Sequence, residues 1–104
     1  MSAQPLMQAS RRQGPPADFR LGRLYTTVGA FRAMARIAIL PIHLIARHAA
    51  GDWGDLDEHD WQANEQALKE GARLLSVYHV EEIKFYVITE ADRSLTTVLL
   101  ASEY

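Results

Sequence analysis

The spacing of apolar residues changes at Gly71, and this change constrains the fold more than any other feature of the sequence. Before Gly71 the apolar residues recur at helical spacing, whereas residues 74–80 alternate with the two-residue period of a β-strand. The alternation continues in residues 83–88, and residues 95–100 are rich in β-branched side chains. The sequence therefore predicts the α+β class, with N-terminal helices followed by a three-stranded antiparallel β-meander.

Two helices are predicted in the first half of the chain. Thr26 and Thr27 are suitable caps for a helix over residues 28–37. Pro41 suits the first turn of a second helix, because its missing N–H would have no partner there. The apolar positions expected on these helices are Val28, Phe31, Met34 and Ala35 in the first, and Ile42, Ile45, Ala46 and Ala49 in the second.

A third helix is predicted over residues 58–70. Asp57 is a suitable N-cap, and Gly71 suits the left-handed residue that ends a helix. Asn64 lies one turn from Trp61 and Leu68, so we expect a buried amide that needs hydrogen-bond partners. The segment before this helix, residues 51–55, has the sequence Gly-Asp-Trp-Gly-Asp and predicts a structured loop.

The size and composition of the chain fit one domain. Its 104 residues predict a flexible basic N-terminal arm, residues 1–22, and a single α+β domain, residues 23–104. The chain has no cysteine, and its longest apolar run is too short for a bilayer span. We therefore expect a cytoplasmic protein that is not bound to a membrane.

Charge is unevenly distributed along the chain. Residues 1–24 carry a net charge of +3, and residues 51–70 carry −6. A short basic arm is more often solubilising than a nucleic-acid site, so a nucleic-acid partner is not expected. The acidic segment instead favours a protein partner with a basic surface.

His48 and Asp52 are the candidates for acid–base chemistry. They lie close in sequence at the predicted end of the second helix and could form a catalytic couple. The alternative is a structural hydrogen bond, or a favourable interaction of His48 with the helix dipole. Arg93 could steady an anionic substrate beside them, or it could pair with Glu90 across a tight turn.

Other polar and aromatic residues allow a binding role and a structural role. Trp53 could be a core residue or an interface anchor, and Asp92 could bind a partner or cap its own turn. The histidines lack the spacing of a metal site, and the acidic residues of 52–60 lack the pattern of an EF-hand loop. No metal and no cofactor are therefore expected.

From about Leu24 to Tyr104 the chain resembles a family of small proteins encoded on bacterial plasmids and integrative elements. The resemblance is carried by residues 46–48, 51–56 (Gly-Asp-Trp-Gly-Asp-Leu), 74–76 and 87–94 (Val-Ile-Thr-Glu-Ala-Asp-Arg-Ser), with Thr26, Thr27, Asn64, Thr97, Glu103 and Tyr104. It implies an accessory protein of a mobile genetic element and implies no activity. The chain departs from the family pattern at Ala101-Ser102 and in the apolar residues 37–40.

Two functions are compatible with the sequence. The first is a non-enzymatic protein-interaction module, such as an adaptor or an inhibitor of a host defence system. Its predicted binding residues are Trp53, Asp55, Glu58, Thr89, Glu90, Asp92 and Arg93. The second is a small hydrolase or ribonuclease-like enzyme that uses His48, Asp52 and Arg93. The absence of a nucleophile elbow or a phosphate loop favours the first.

Overall fold

A computed structural model describes residues 17–104. The chain forms β1 (Arg23–Thr26), α1 (Val28–Arg36), α2 (Pro41–Ala49), α3 (Glu58–Glu70), β2 (Leu74–Val80), β3 (Ile83–Thr89) and β4 (Leu95–Leu100), followed by a 3-10 turn, Ala101–Glu103. The α+β class is therefore confirmed. Residues 1–16, most of the predicted arm, lie outside the described residues.

The sheet has four strands, in the order β1-β4-β3-β2. The predicted meander of β2, β3 and β4 is present and antiparallel, but the prediction of a three-stranded sheet is wrong. β1 adds a fourth strand parallel to β4, with Arg23 aligned to Leu95, so that the sheet is mixed. β1 has only four residues and no buried position, so it carries no alternation that the sequence could reveal.

The predicted signals at the ends of the helices are confirmed. The Thr27 hydroxyl accepts the Ala30 N–H at 3.0 Å and caps α1, and Pro41 opens α2. Asp57 caps α3 by accepting the Asp60 N–H at 2.8 Å, and Gly71 ends α3 with a φ of 72°. These ends were predictable because each depends on residues within a few positions of one another.

The buried faces of α1 and α2 differ from those predicted. α1 buries Ala30, Ala33 and Met34, and α2 buries Leu44, Ile45 and His48. Five side chains that we expected on the buried stripes are exposed, namely Val28, Phe31, Ala35, Ile42 and Ala46. Both helices carry apolar residues on more than one side, so packing against the sheet selected the buried face.

Two clusters of core residues lie on the face of the sheet that α1 and α2 cover, and Val77, Ile88 and Leu99 are buried on the opposite face. The first joins α1 and α2 to Tyr78, Phe85, Val87 and Val98. The second joins Trp53, Trp61, Ala67 and Leu74 around the loop before α3. Phe19 and Leu21, inside the predicted arm, pack against these clusters.

Within residues 17–104 no single helix combines the length and hydropathy needed to cross a bilayer. The pair α1 and α2 meets that test only when the two helices are taken together, and the pair is bent by 106°.

Candidate functional site

His48 is completely buried, and both nitrogens of its ring are hydrogen-bonded to hydroxyl groups. Nδ1 lies 2.6 Å from Ser76 Oγ, and Nε2 lies 2.8 Å from Thr89 Oγ1. The chain of contacts continues over 2.7 Å from Thr89 Oγ1 to Thr96 Oγ1. It ends where the Thr96 hydroxyl donates to the Leu21 carbonyl oxygen at 2.7 Å.

The end of this chain determines the tautomer of His48. A hydroxyl has a single hydrogen to donate, and Thr96 donates its hydrogen to the Leu21 carbonyl. Thr96 must therefore accept from Thr89, and Thr89 must accept from His48 Nε2–H. Nδ1 is then an acceptor, and Ser76 donates to it. Every member of the network is satisfied when His48 is neutral.

Aromatic rings surround His48 on its remaining sides. The centroids of the Phe19 and Trp53 rings each lie 5.5 Å from the centroid of the imidazole ring, in edge-on orientations. Burial and, to a smaller extent, the positive charge of Arg93 lower the pKa of His48 to about 4. Above about pH 4, His48 is therefore a neutral group inside the core.

Asp52 interacts with Arg47 and not with His48. Its carboxylate accepts Arg47 Nε–H at 2.7 Å and the Gly54 N–H at 3.1 Å. The Asp52 carbonyl accepts the Tyr78 hydroxyl at 2.6 Å. Arg47 and His48 are adjacent on α2, so they point in different directions, and only Arg47 is directed towards the Asp52 side chain.

Arg93 binds backbone carbonyls. Its guanidinium donates to the carbonyls of Ala72 at 2.6 Å, Glu90 at 3.1 Å, Ala91 and Ala67. Ala67 lies in the last turn of α3, so Arg93 joins the end of that helix to the β3–β4 turn. The predicted side-chain pair with Glu90 is absent, because the Glu90 carboxylate lies 3.8 Å from Arg73 Nε.

The three residues of the hydrolase hypothesis are not brought together. No hydrogen bond joins any two of the side chains of His48, Asp52 and Arg93 within the described chain. The Phe19 ring contacts both His48 and Arg93, with the guanidinium carbon 5.8 Å from the centroid of the ring. His48 has no exposed surface from which it could reach a substrate.

The predicted binding residues divide into buried and exposed groups. Trp53 and Thr89 are fully buried, and the Trp53 indole N–H donates to Glu65 at 2.8 Å. Asp55, Glu58 and Asp92 are exposed. Asp55 lies 2.6 Å from His79 Nδ1, and Asp92 accepts the Ser94 N–H at 2.9 Å. Hydrogen bonds from the Ser94 side chain and from its backbone N–H lower the Asp92 pKa. Trp53 is therefore a core residue, which is one of the two roles that the sequence allowed for it.

A surface that the sequence analysis did not identify lies beside β1. Residues 24–42 contain most of the large apolar side chains that are exposed within residues 17–104, namely Leu24, Tyr25, Val28, Phe31, Leu40 and Ile42. Between β1 and α2 there is an open groove of about 220 Å³, here called the β1 groove. Its lining is Leu24, Tyr25, Thr26, Pro41, Ile42 and Ile45.

One group of side chains has the spacing for a cation. Asp57, His59 and Asp60 place ligand atoms within 4.8 Å of one another, and all three are exposed. The Asp57 carboxylate already caps α3 through the Asp60 N–H. Such a cluster is typical of an ordinary helix N-terminus, where acidic residues complement the positive end of the helix.

Comparison of the chain with protein-family models, curated proteins and solved structures finds no match. The resemblance to plasmid-encoded proteins thus stays a prediction.

Proposed function

We propose that this chain is a non-enzymatic protein-interaction module that binds its partner through the β1 groove. The observation that carries the proposal is the concentration of exposed apolar side chains in residues 24–42. Leu24, Tyr25 and Ile42 are each about half exposed, and all three line the groove. Apolar residues gathered at one surface are typical of a protein–protein contact.

The role as an adaptor or an inhibitor of a host defence system, encoded on a mobile element, belongs to the same proposal. It rests on the resemblance described in the sequence analysis. The acidic surface that includes Asp55 and Glu58 is the alternative binding face, and both side chains are exposed there. Its support is the net charge of −6 in residues 51–70.

The hydrolase hypothesis has less support. A general acid or base must reach its substrate directly or through one water molecule. His48 is enclosed by Phe19 and Trp53, and the hydrogen-bonding capacity of its ring is used by Ser76 and Thr89. A purely structural histidine needs no further partner.

Site-specific photo-crosslinking tests the proposal and separates the two surfaces. A photoreactive amino acid replaces Ile42 in the β1 groove, Glu58 on the acidic surface, or Gln66 as an exposed control on α3. The full chain is expressed in cells of its source organism and irradiated. We expect a discrete crosslinked protein from the Ile42 position and none from the Gln66 position.

Each alternative gives a different pattern of crosslinks. A crosslink from Glu58 alone would transfer the binding site to the acidic surface. Crosslinks of equal intensity from all three positions would indicate non-specific contact. No crosslink from Ile42 or Glu58 would contradict the proposal of a protein-interaction module.

A further inference from the structure

The two edges of the sheet differ in how their backbone groups are paired. At the outer edge of β2, the Asn64 amide donates to the Leu75 carbonyl at 2.7 Å and accepts the Leu75 N–H at 3.1 Å. The Val77 N–H donates to the Trp53 carbonyl at 3.1 Å, and the Val77 carbonyl accepts the Asp55 N–H at 2.6 Å. The backbone groups of Leu75 and Val77 at this edge are therefore already paired with a side chain and a loop, so they cannot pair with another strand.

In the described part of the chain, no loop or side chain is hydrogen-bonded to the outer backbone groups of β1 in this way. Arg23 and Thr27 donate their N–H groups to carbonyls on the β4 side, each at 3.0 Å. Because backbone groups alternate in direction along a strand, those of Leu24 and Thr26 point away from β4. Within residues 17–104 no strand pairs with β1 on that side. β1 has no proline and no bulge, and of the features that protect natural edges it has a short length and the charged residue Arg23.

Side chains next to this edge suit a strand with apolar residues on one face. Leu24 and Thr26 align with Thr96 and Val98, so they lie on the face of the sheet that the helices cover. The β1 groove lies between β1 and α2, and its lining from β1 includes Leu24 and Thr26 on this face and Tyr25 on the other. Arg23 alternates with Leu24 and therefore lies on the opposite face.

The charged side chains of β1, α1 and α2 are all arginines, and one acid, Glu103, lies beside them, where it accepts the Thr27 hydroxyl at 2.7 Å. Residues 19–51 contain five arginines and no aspartate or glutamate. Arg23, Arg32 and Arg36 are exposed on β1 and α1. A partner of this surface gains most if it carries acidic groups beside its apolar residues.

We propose that β1 accepts an extended segment of another protein as an additional strand, with apolar side chains in the β1 groove and acidic side chains on the Arg23 face. This inference rests on the proposed function and specifies the chemistry of the partner. Main-chain hydrogen bonds to Leu24 and Thr26 supply the affinity, and the alternate side chains supply the specificity.

Charge and backbone geometry disfavour the other occupants of this edge. Residues 1–16 of the chain itself carry Arg11 and Arg12 and no acid, so they repeat the charge of the surface. A second copy would bring two identical basic edges together, and its acidic residues 58–70 form a helix, which cannot extend a sheet. The hydrocarbon core of a bilayer offers no hydrogen-bond partners for the open backbone groups.

Synthetic peptides in which valine and glutamate alternate provide the probe. Two N-methylated versions serve as a matched pair, because methylation on all valines blocks one edge of the peptide and methylation on all glutamates blocks the other. We expect the unmodified peptide to bind the full chain, as measured by fluorescence anisotropy. One methylated peptide should bind at least about tenfold more weakly than the unmodified peptide, because it has lost the N–H groups that face β1. The other methylated peptide should bind with the affinity of the unmodified peptide.

Charge variants of the chain test the orientation of the peptide. Arg23→Glu should weaken binding of the valine/glutamate peptide by about tenfold or more, and it should strengthen binding of a valine/lysine peptide. Lys69→Glu is the matched control, because it makes the same change of charge on α3 and should have little effect. Circular dichroism checks that both variants remain folded.

Several results would overturn the inference. They are absence of binding by the valine/glutamate peptide, equal effects of the two methylation patterns, and equal effects of Arg23→Glu and Lys69→Glu. Binding of the chain to vesicles of anionic phospholipid without binding of the peptide would assign the surface to a membrane. Dimerisation of the chain without binding of the peptide would assign it to a second copy.

The two proposals can fail separately. If Ile42 crosslinks to a partner but the peptides do not bind, the chain is an interaction module and strand addition is wrong. If the peptides bind with the predicted dependence on methylation but no partner crosslinks in cells, strand addition is correct as chemistry and the proposed cellular function is wrong.

Discussion

His48 shows how burial and hydrogen bonding together determine the protonation state of one residue. Its neutral ring connects α2 to three strands, through Ser76 on β2, Thr89 on β3 and Thr96 on β4. A proton on Nδ1 would remove the acceptor that the Ser76 hydroxyl requires, and it would place a charge among Phe19 and Trp53. The network therefore resists protonation for a structural reason.

The stability of the protein should depend on pH through His48. Its pKa is about 4 in the folded chain and 6.5 in the unfolded chain, so the unfolded state takes up the proton first as the pH falls. The contribution of neutral His48 to stability is complete above about pH 6.5, is lost as the pH falls to about 4, and changes little below that. We expect a loss of about 3 kcal/mol in the free energy of unfolding across this window.

Urea denaturation of the wild type and of His48→Asn at several pH values measures this dependence. The difference in unfolding free energy between the two proteins should shrink as the pH falls towards 4, since the variant has no imidazole to protonate at this position. A constant difference would contradict the prediction. If His48→Asn does not fold, nitrogen chemical shifts of labelled histidine in the wild type report the same pKa and the Nε2–H tautomer directly.

The loop before α3 acts as an edge cover for β2. Trp53 fills the core while the backbone on either side of Gly54 pairs with Val77. Gly54 has a φ of 78°, and a Cβ added there would lie 2.0 Å from the Val77 carbonyl oxygen. This close approach explains why the loop needs glycine at that position.

Gly54→Ala should destabilise the protein far more than Gly71→Ala. Both glycines have positive φ, but a Cβ on Gly71 would meet no atom within 4 Å. We expect a loss of about 1 kcal/mol for Gly71→Ala from backbone strain alone. For Gly54→Ala we expect about 3 kcal/mol or more, because the loop must also move away from β2.

Chemical denaturation gives both free energies of unfolding, and hydrogen exchange locates the damage. Exchange at the Val77 N–H should accelerate in Gly54→Ala by more than the global loss of stability explains. Equal losses in the two alanine variants would show that the contact between Gly54 and Val77 does not matter for stability.

The molecule as a whole buries one face of its helices and leaves the opposite face in solvent. Met34 is fully buried on α1, whereas Phe31, one turn before it, is 53% exposed. The helices cover a single side of the sheet, so α1 and α2 can each bury only one stripe. Among the exposed apolar residues of the two helices, Ile42 lines the β1 groove, to which we assign partner binding.

Substitutions at Met34 and Phe31 test this division. We expect Met34→Ala to lower the free energy of unfolding by about 2 to 5 kcal/mol through the cavity that it creates. Phe31→Ala should cost less than about 1 kcal/mol. Thermal unfolding at low and high protein concentration measures both effects, and a large, concentration-dependent cost for Phe31→Ala would show that another copy covers it.

The sequence by itself determined the elements whose signals are local. The caps of α1 and α3, the left-handed end at Gly71 and the alternation in β2 and β3 depend on residues close together in the chain, so their physics could be evaluated without the fold. The need for partners at Asn64 was also visible, because a buried amide must be hydrogen-bonded.

Only the tertiary structure decided which residues meet. β1 is a strand because β4, some 70 residues later, offers it a free edge. His48 lacks contact with Asp52 because its side chain faces the sheet, where hydroxyls on three strands converge. The buried faces of α1 and α2 were undetermined for the same reason: burial is a property of the assembled surface, and a helix with apolar residues on several sides fits it in more than one orientation.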